Sequence, residues 1–206
     1  MAIFPGSAIP SAVSDYEIDN SLRFDDGDSP SLSRTPASEG DRKTFTYSFW
    51  TKRGTGTDYP AFAGAGQDSS NYDTFRFYND DTLQFQYVRG GSASNFYTNA
   101  VFRDPSAWYH IVLGIDTTIS SPSADRVKMW VNGEAQTFAT ANEPAEDATF
   151  YINDDRPQFV GARTTDGTTA NKFYDGYLAE FYFIDGTQYA ASDFGELSST
   201  TNQWIP

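Results

Sequence analysis

The chain has 206 residues, 17% of them aromatic, and carries 28 acidic against 14 basic side chains, for a net charge of −14. That length and aromatic content suit one domain with a packed core and exclude a disordered chain. The charge argues against a partner read through phosphates or anionic lipid, and with no cysteine and one histidine, disulfides, thiol catalysis and Cys- or His-rich metal centres are excluded too.

Residues 1–20 read as an N-terminal arm. Pro5, Gly6 and Pro10 break any periodicity, and neither a basic run nor a leucine-rich run marks a secretory signal. Ile3, Phe4, Ile9 and Val13 are apolar anchors in this arm, for another subunit or for the domain itself. Nowhere do about 18 apolar residues follow one another, so no membrane-spanning helix and no membrane insertion are expected.

Strand signals then follow in close succession. A short strand at 21–24 ends in the turn cluster Asp25-Asp26-Gly27-Asp28. Residues 44–51 alternate, with Phe45, Tyr47 and Phe49 on one face and Thr46, Ser48 and Trp50 on the other. A short strand at 59–63 is stopped by Gly64 and Gly66. Residues 73–78 and 82–88 form a hairpin around Asn79-Asp80-Asp81, with Phe75 and Phe77 sharing a face, and Leu83, Phe85 and Tyr87 opposite Gln84 and Gln86. Another strand covers 94–102, followed by a turn at Asp104-Pro105-Ser106.

In 108–116, Tyr109, Ile111, Leu113 and Ile115 face one way and His110 the other. The next strand, 125–132, ends at Asn132-Gly133, a type I′ hairpin signal because both turn residues need positive φ. Strands at 158–162 and 177–184 close the series, the last apolar on both faces apart from Glu180, and a helical turn capped by Ser192 follows. About a dozen short strands with turns between them predict an all-β, antiparallel two-sheet jelly-roll sandwich. The arm is 1–20, the sandwich 21–196 and a C-terminal tail 197–206.

Three segments carry a family resemblance: FTYSFWTK at 45–52; WYHIVLGID at 108–116 followed by DRVKMWVNGE at 125–134; and DGYLAEFYFIDG at 175–186 followed by SDFGE at 192–196. In this order they resemble the laminin-G-like, concanavalin A-like lectin/glucanase superfamily. The resemblance implies the same sandwich. Phe4-Pro5-Gly6-Ser7, the segment 21–36 and Gln203-Trp204-Ile205-Pro206 look like domains in structural proteins of marine tailed bacteriophages. That likeness implies a virion fibre, tail appendage or capsid decoration protein, located on the particle. Its partners would be other virion proteins and further copies of itself in a homo-oligomer.

Four sites follow from the residues. Tyr72, Asp73, Arg76, Tyr78, Gln84, Gln86 and Tyr87 lie on or beside one predicted hairpin and offer ring faces and planar polar groups to a glycan, against the plainer reading of a solvated sheet face. Calcium, a hard ion that takes six to eight oxygens, has candidate loops at Asn79, Asp80 and Asp81 or Asn153, Asp154 and Asp155, with others at Asp25, Asp26 and Asp28 and at Asp68, Asn71 and Asp73, but Asp and Asn are also ordinary turn formers. Glu17-Ile18-Asp19 matches two of the three carboxylates of a glucanase Glu-x-Asp-x-Glu strand, but the third position is Ser21, so no catalytic residues are assigned. His110 reads as a packed structural histidine, not a base.

The leading expectation is therefore a non-enzymatic virion protein on a lectin-like sandwich, contacting host-surface glycans. The alternative is a calcium-assisted carbohydrate-binding lectin, and a glycoside hydrolase stands third.

Overall fold

A computed structural model gives the structure, and it describes residues 17–55 and 59–206. The arm anchors Ile3, Phe4, Ile9 and Val13 lie outside the described residues. Among the described residues there is no α-helix, only strands and three short 3-10 turns.

The strands are, in chain order, β1 Leu22–Phe24, β2 Leu32–Arg34, β3 Thr44–Arg53, β4 Ala61–Asp68, β5 Asn71–Phe77, β6 Thr82–Arg89, β7 Ser92–Val101, β8 Tyr109–Asp116 and β9 Val127–Val131. They continue as β10 Glu134–Ala135, β11 Phe138–Ala141, β12 Gln158–Val160, β13 Arg163–Thr164, β14 Ala170–Asn171, β15 Gly176–Asp185, β16 Glu196–Leu197 and β17 Trp204–Ile205. One sheet runs β1-β15-β3-β8-β9-β10 and the other β11-β7-β6-β5-β4-β12-β2. All pairings are antiparallel. This is the expected two-sheet sandwich.

Alternation and pairing together build the core. Phe45, Tyr47 and Phe49 sit opposite Ile115, Leu113 and Ile111 on β8, which in turn face Val127, Met129 and Val131 on β9. In the other sheet Phe75 pairs with Phe85 and Phe85 with Phe96. The two inner faces meet where Phe49 packs on Phe62, ring centroids 4.9 Å apart, and on Phe75 at 6.0 Å. Edge-to-face and tilted pairs of this kind add to simple area burial. Truncating a fully buried ring such as Phe62 would cost about 3–5 kcal/mol.

Asn132 and Gly133 have φ of 49° and 80°, the type I′ signature expected for the β9–β10 hairpin. Other expectations need correction. The strand thought to stop at Gly64 runs on to Asp68 as β4. Both glycines lie where another segment comes close: a Cβ on Gly64 would stand 2.6 Å from Arg163 Cβ, and one on Gly66 2.6 Å from Tyr72 Cβ. They are there for close approach and do not end the strand.

β15 lies inside its sheet only over its first three residues, where β1 pairs with it. Beyond a bulge at 179–182, Tyr182 and Phe183 are exposed. The helical turn is a 3-10 turn at Ala191–Asp193, and it is Asp193 Oδ2 that accepts the Ala190 backbone N–H. The boundary placed at 196/197 runs through a hairpin, because Glu196 pairs with Ile205 and Leu197 with Trp204.

Candidate functional site

The outer face of the seven-stranded sheet is laid out in cross-strand rows. Arg76 on β5 is opposite Gln84 on β6, which is opposite Tyr97 on β7. In the next row Thr74, Gln86 and Asn95 line up. Period-2 alternation turns these side chains away from the phenylalanine core.

They are tied into one network. Arg76 Nε donates to Gln84 Oε1 at 2.5 Å and Nη2 to Gln86 Oε1 at 3.4 Å. Gln84 Nε2 donates to Asn95 Oδ1 and to the Tyr97 hydroxyl, each at 2.7 Å, and Gln86 Nε2 to Asn95 Oδ1 at 2.9 Å. The Tyr72 hydroxyl donates to Gln86 Oε1 at 3.3 Å. The Arg76 guanidinium carbon lies 5.0 Å from the Tyr59 ring centre and 5.7 Å from that of Tyr78.

The β13–β14 hairpin supplies a second basic wall. It lies on the strip of β4 left bare by Gly64 and Gly66. Arg163 stands over Tyr72 at 5.0 Å and donates from Nε to Asn171 Oδ1 at 3.2 Å, and Lys172 Nζ lies 5.6 Å from the Tyr59 ring centre. Among the described residues no carboxylate pairs with Arg76 or Arg163. Arg76 is 6% exposed, and burial, with Arg163 nearby, pushes its pKa down to about 10. Two guanidiniums and an ammonium thus share one face of a strongly acidic protein.

Of the seven residues expected to meet a glycan, the structure brings together Tyr72, Arg76, Tyr78, Gln84 and Gln86. It turns Asp73 and Tyr87 to the inner face. Asp73 is fully buried, pairs with Arg89 Nη1 at 2.7 Å and accepts the backbone N–H groups of Tyr151 and Ile152. Tyr87 packs on Phe150 and donates its hydroxyl to the Asn142 carbonyl at 2.9 Å. Alternation already separates 73 and 87 from 72, 76, 84 and 86, so adjacency in sequence was the wrong criterion there. Tyr59, Asn95, Tyr97, Arg163 and Lys172 were missed; the small-residue strand Ala61-Phe62-Ala63-Gly64-Ala65-Gly66 was the signal that something lies over it.

The calcium candidates do not converge. Asp81 pairs with Arg53 at 2.8 Å and Arg103 at 3.0 Å, and Asp154 with Arg156 at 3.2 Å and Arg42 at 3.4 Å. Asp80 Oδ1 accepts from the Thr82 N–H and hydroxyl, at 3.1 and 2.6 Å. Asp155 is exposed. Among the described residues no three acidic or histidine side chains gather as a metal site, and Asp81 and Asp154 would have to leave their arginines to ligate calcium.

His110 lies on the outer face of the six-stranded sheet. Its Nδ1 accepts from Trp204 Nε1 at 2.9 Å, and its Nε2 is 3.0 Å from Ser48 Oγ. An indole N–H only donates, so Nδ1 is unprotonated and Nε2 carries the hydrogen. Burial pushes the pKa down to about 4. The ring is neutral and both nitrogens are engaged. Glu17 and Asp19 lie in an exposed segment outside any strand, so the alternation that aligns glucanase carboxylates does not operate on them.

An antiparallel sandwich with a polar-aromatic outer face defines a lectin-like domain. The chain belongs to the concanavalin A-like lectin/glucanases superfamily, whose Laminin_G_3 family model matches residues 26–203. No curated protein sequence matches it. Solved structures similar in fold include NanB sialidase from Streptococcus pneumoniae (K499G mutant), 16% identical, TM-score 0.60, covering 90% of this chain and 27% of that one. Domains LG4-5 of the mouse laminin α1 chain are 15% identical, TM-score 0.58, covering 85% and 45%. The CBM40 module of the Ruminococcus gnavus IT-sialidase is 13% identical, TM-score 0.55, covering 79% and 95%.

Proposed function

We propose that this domain is a non-catalytic glycan-binding module that holds an acidic sugar on the outer face of its seven-stranded sheet. The observation that carries the reading is Arg76: a guanidinium packed between Tyr59 and Tyr78, fixed by Gln84 and Gln86, with no carboxylate partner among the described residues. A planar cation held in this way matches a carboxylate or sulfate, while the tyrosine rings match the C–H faces of a sugar. Solved relatives in fold include the R. gnavus CBM40 bound to α2,3-sialyllactose and an arabinanase domain from Geobacillus stearothermophilus in complex with arabinotriose.

The test is retention of the purified domain on carboxylated, sulfated and neutral polysaccharides, with new reducing ends read in parallel. Retention on the acidic set, lost in Arg76→Met, is expected without cleavage. Equal retention on neutral polymers, or retention that survives Arg76→Met, overturns the site. New reducing ends overturn the non-catalytic reading.

We also infer a setting on a virion fibre, tail appendage or capsid surface, displayed as a homo-oligomer. Its support is the likeness of Phe4-Pro5-Gly6-Ser7, the segment 21–36 and Gln203-Trp204-Ile205-Pro206 to phage structural domains. Antibody against the domain should decorate purified particles of the encoding virus, and light scattering should give a multiple of 22.9 kDa. Bare particles, or a coding sequence of cellular origin, would remove this setting.

A further inference from the structure

The opposite face of the sandwich carries a separate cavity. It is open to solvent on one side, has a volume of about 490 Å³ and is lined by three of the four tryptophans, Trp50, Trp108 and Trp204, with Glu17 and Asp19 on one wall. That volume lies within the range of small-ligand sites.

The indoles are held from behind. Trp50 and His110 are direct cross-strand partners with ring centroids 5.1 Å apart. Trp204 is fixed to the same imidazole by its N–H, and the two ring planes are within 18° of parallel. Trp108 leans on Tyr177, centroids 6.3 Å apart. With the Trp204 N–H engaged, this indole presents mainly its π surface. Such surfaces carry partial negative charge and attract cations.

The lining of the cavity has the same sign: two carboxylates stand on its wall and no described lining residue is basic. Lys52 and Arg23, the cross-strand partners of Tyr177, are not among the lining residues. His110 behind the indoles is neutral. An anion is repelled here, whereas a cation with an apolar body finds both stacking surface and opposite charge.

We propose that the Trp50–Trp108–Trp204 cavity binds an organic ammonium ion, quaternary or protonated, on a small apolar body. The inference is independent of the glycan reading, because the two sites lie on different sheets and select opposite charge.

The test uses choline and its uncharged isostere 3,3-dimethylbutanol, titrated into the full chain while indole N–H signals are followed by NMR. Choline should saturate at millimolar concentration, shift Trp50, Trp108 and Trp204 together, and weaken with added salt. The alcohol should bind at least tenfold more weakly. Trp108 is well exposed, so Trp108→Ala should leave the fold intact and reduce choline affinity about tenfold or more, with Trp108→Phe between. Glu17→Gln combined with Asp19→Asn should weaken binding and flatten the salt dependence. Arg76→Met, on the other sheet, should leave choline affinity unchanged. No saturation at tens of millimolar, equal binding of the alcohol, or an undiminished Trp108→Ala would overturn the proposal.

Discussion

Trp204, two residues before Pro206, donates its indole N–H to Nδ1 of His110, the second residue of β8, across 94 residues of sequence, at 2.9 Å. This bond fastens the β16–β17 hairpin to the outer face of the six-stranded sheet and fixes the histidine as the Nε2–H tautomer. Below the histidine pKa the imidazolium would present a second donor to the indole, and the fastening would be lost.

The consequence for pH has a definite sign. An unfolded histidine takes up its proton near pH 6.5, while burial holds folded His110 neutral down to about 4. Between these values the unfolded chain binds more protons, so stability falls as pH falls from about 6.5 to about 4. The contribution of this one group is at most about 3 kcal/mol. The carboxyls of Glu180 and Asp193 line the same recess. NMR of the single histidine isolates it: its ring nitrogens should show the Nε2–H pattern at neutral pH and no titration above about pH 5. A midpoint near 6.5 would contradict the buried, bonded ring.

Gly133→Ala should loosen the same hairpin. Gly133 has φ +80°, and an added Cβ would stand 2.3 Å from a carbon of the Trp204 ring. The left-handed conformation alone costs a non-glycine residue about 1–2 kcal/mol, and the displaced indole adds to it. Thermal unfolding and the His110 nitrogen shifts should change together; a native His110 pattern in the variant would show that Trp204 had not moved.

Arg76→Met separates binding from stability. The guanidinium is desolvated and lies beside Arg163, which is why its pKa is pushed down. A methionine of similar length keeps the stem's packing and drops the charge, so Tm should hold or rise while retention on acidic glycans is lost. Wild-type retention should weaken with salt as the charges are screened. A large drop in Tm would mean that the guanidinium holds the face together.

Asp73→Asn should do the reverse. It leaves Arg89 without its buried carboxylate partner and weakens the acceptor for the Tyr151 and Ile152 N–H groups. Breaking such a pair from one side costs about 3 kcal/mol. Urea unfolding should show that loss, while the folded fraction should bind glycan as before, because Asp73 faces the core. Lost affinity with full stability would return Asp73 to the binding face.

Calcium should leave Tm unchanged. Asp81 and Asp154 are each matched by two arginines. A ligand bound to the native state raises Tm with concentration, so a rise of several degrees in millimolar calcium would place an ion at a loop where the carboxylates are now engaged.

The sequence by itself determined the class of fold and much of its layout. Alternation in 44–51 and 108–116 is a strictly local property, as is the positive φ that Asn132-Gly133 needs, and each appears in the structure where the pattern put it. The same period-2 rule put Arg76 with Tyr78, and Gln84 with Gln86. Applied strictly, it also placed Asp73 and Tyr87 on the opposite side. Only the tertiary structure decided what lies over each sheet. Gly64 and Gly66 look like strand terminators until Arg163 and Tyr72 are seen against them, and Trp204 looks like part of a tail until it is found bonded to His110. Contacts of that kind join residues distant in sequence through the space between packed layers. The chain's local periodicity holds no record of them, because it registers which face a side chain takes and not which segment comes to cover it.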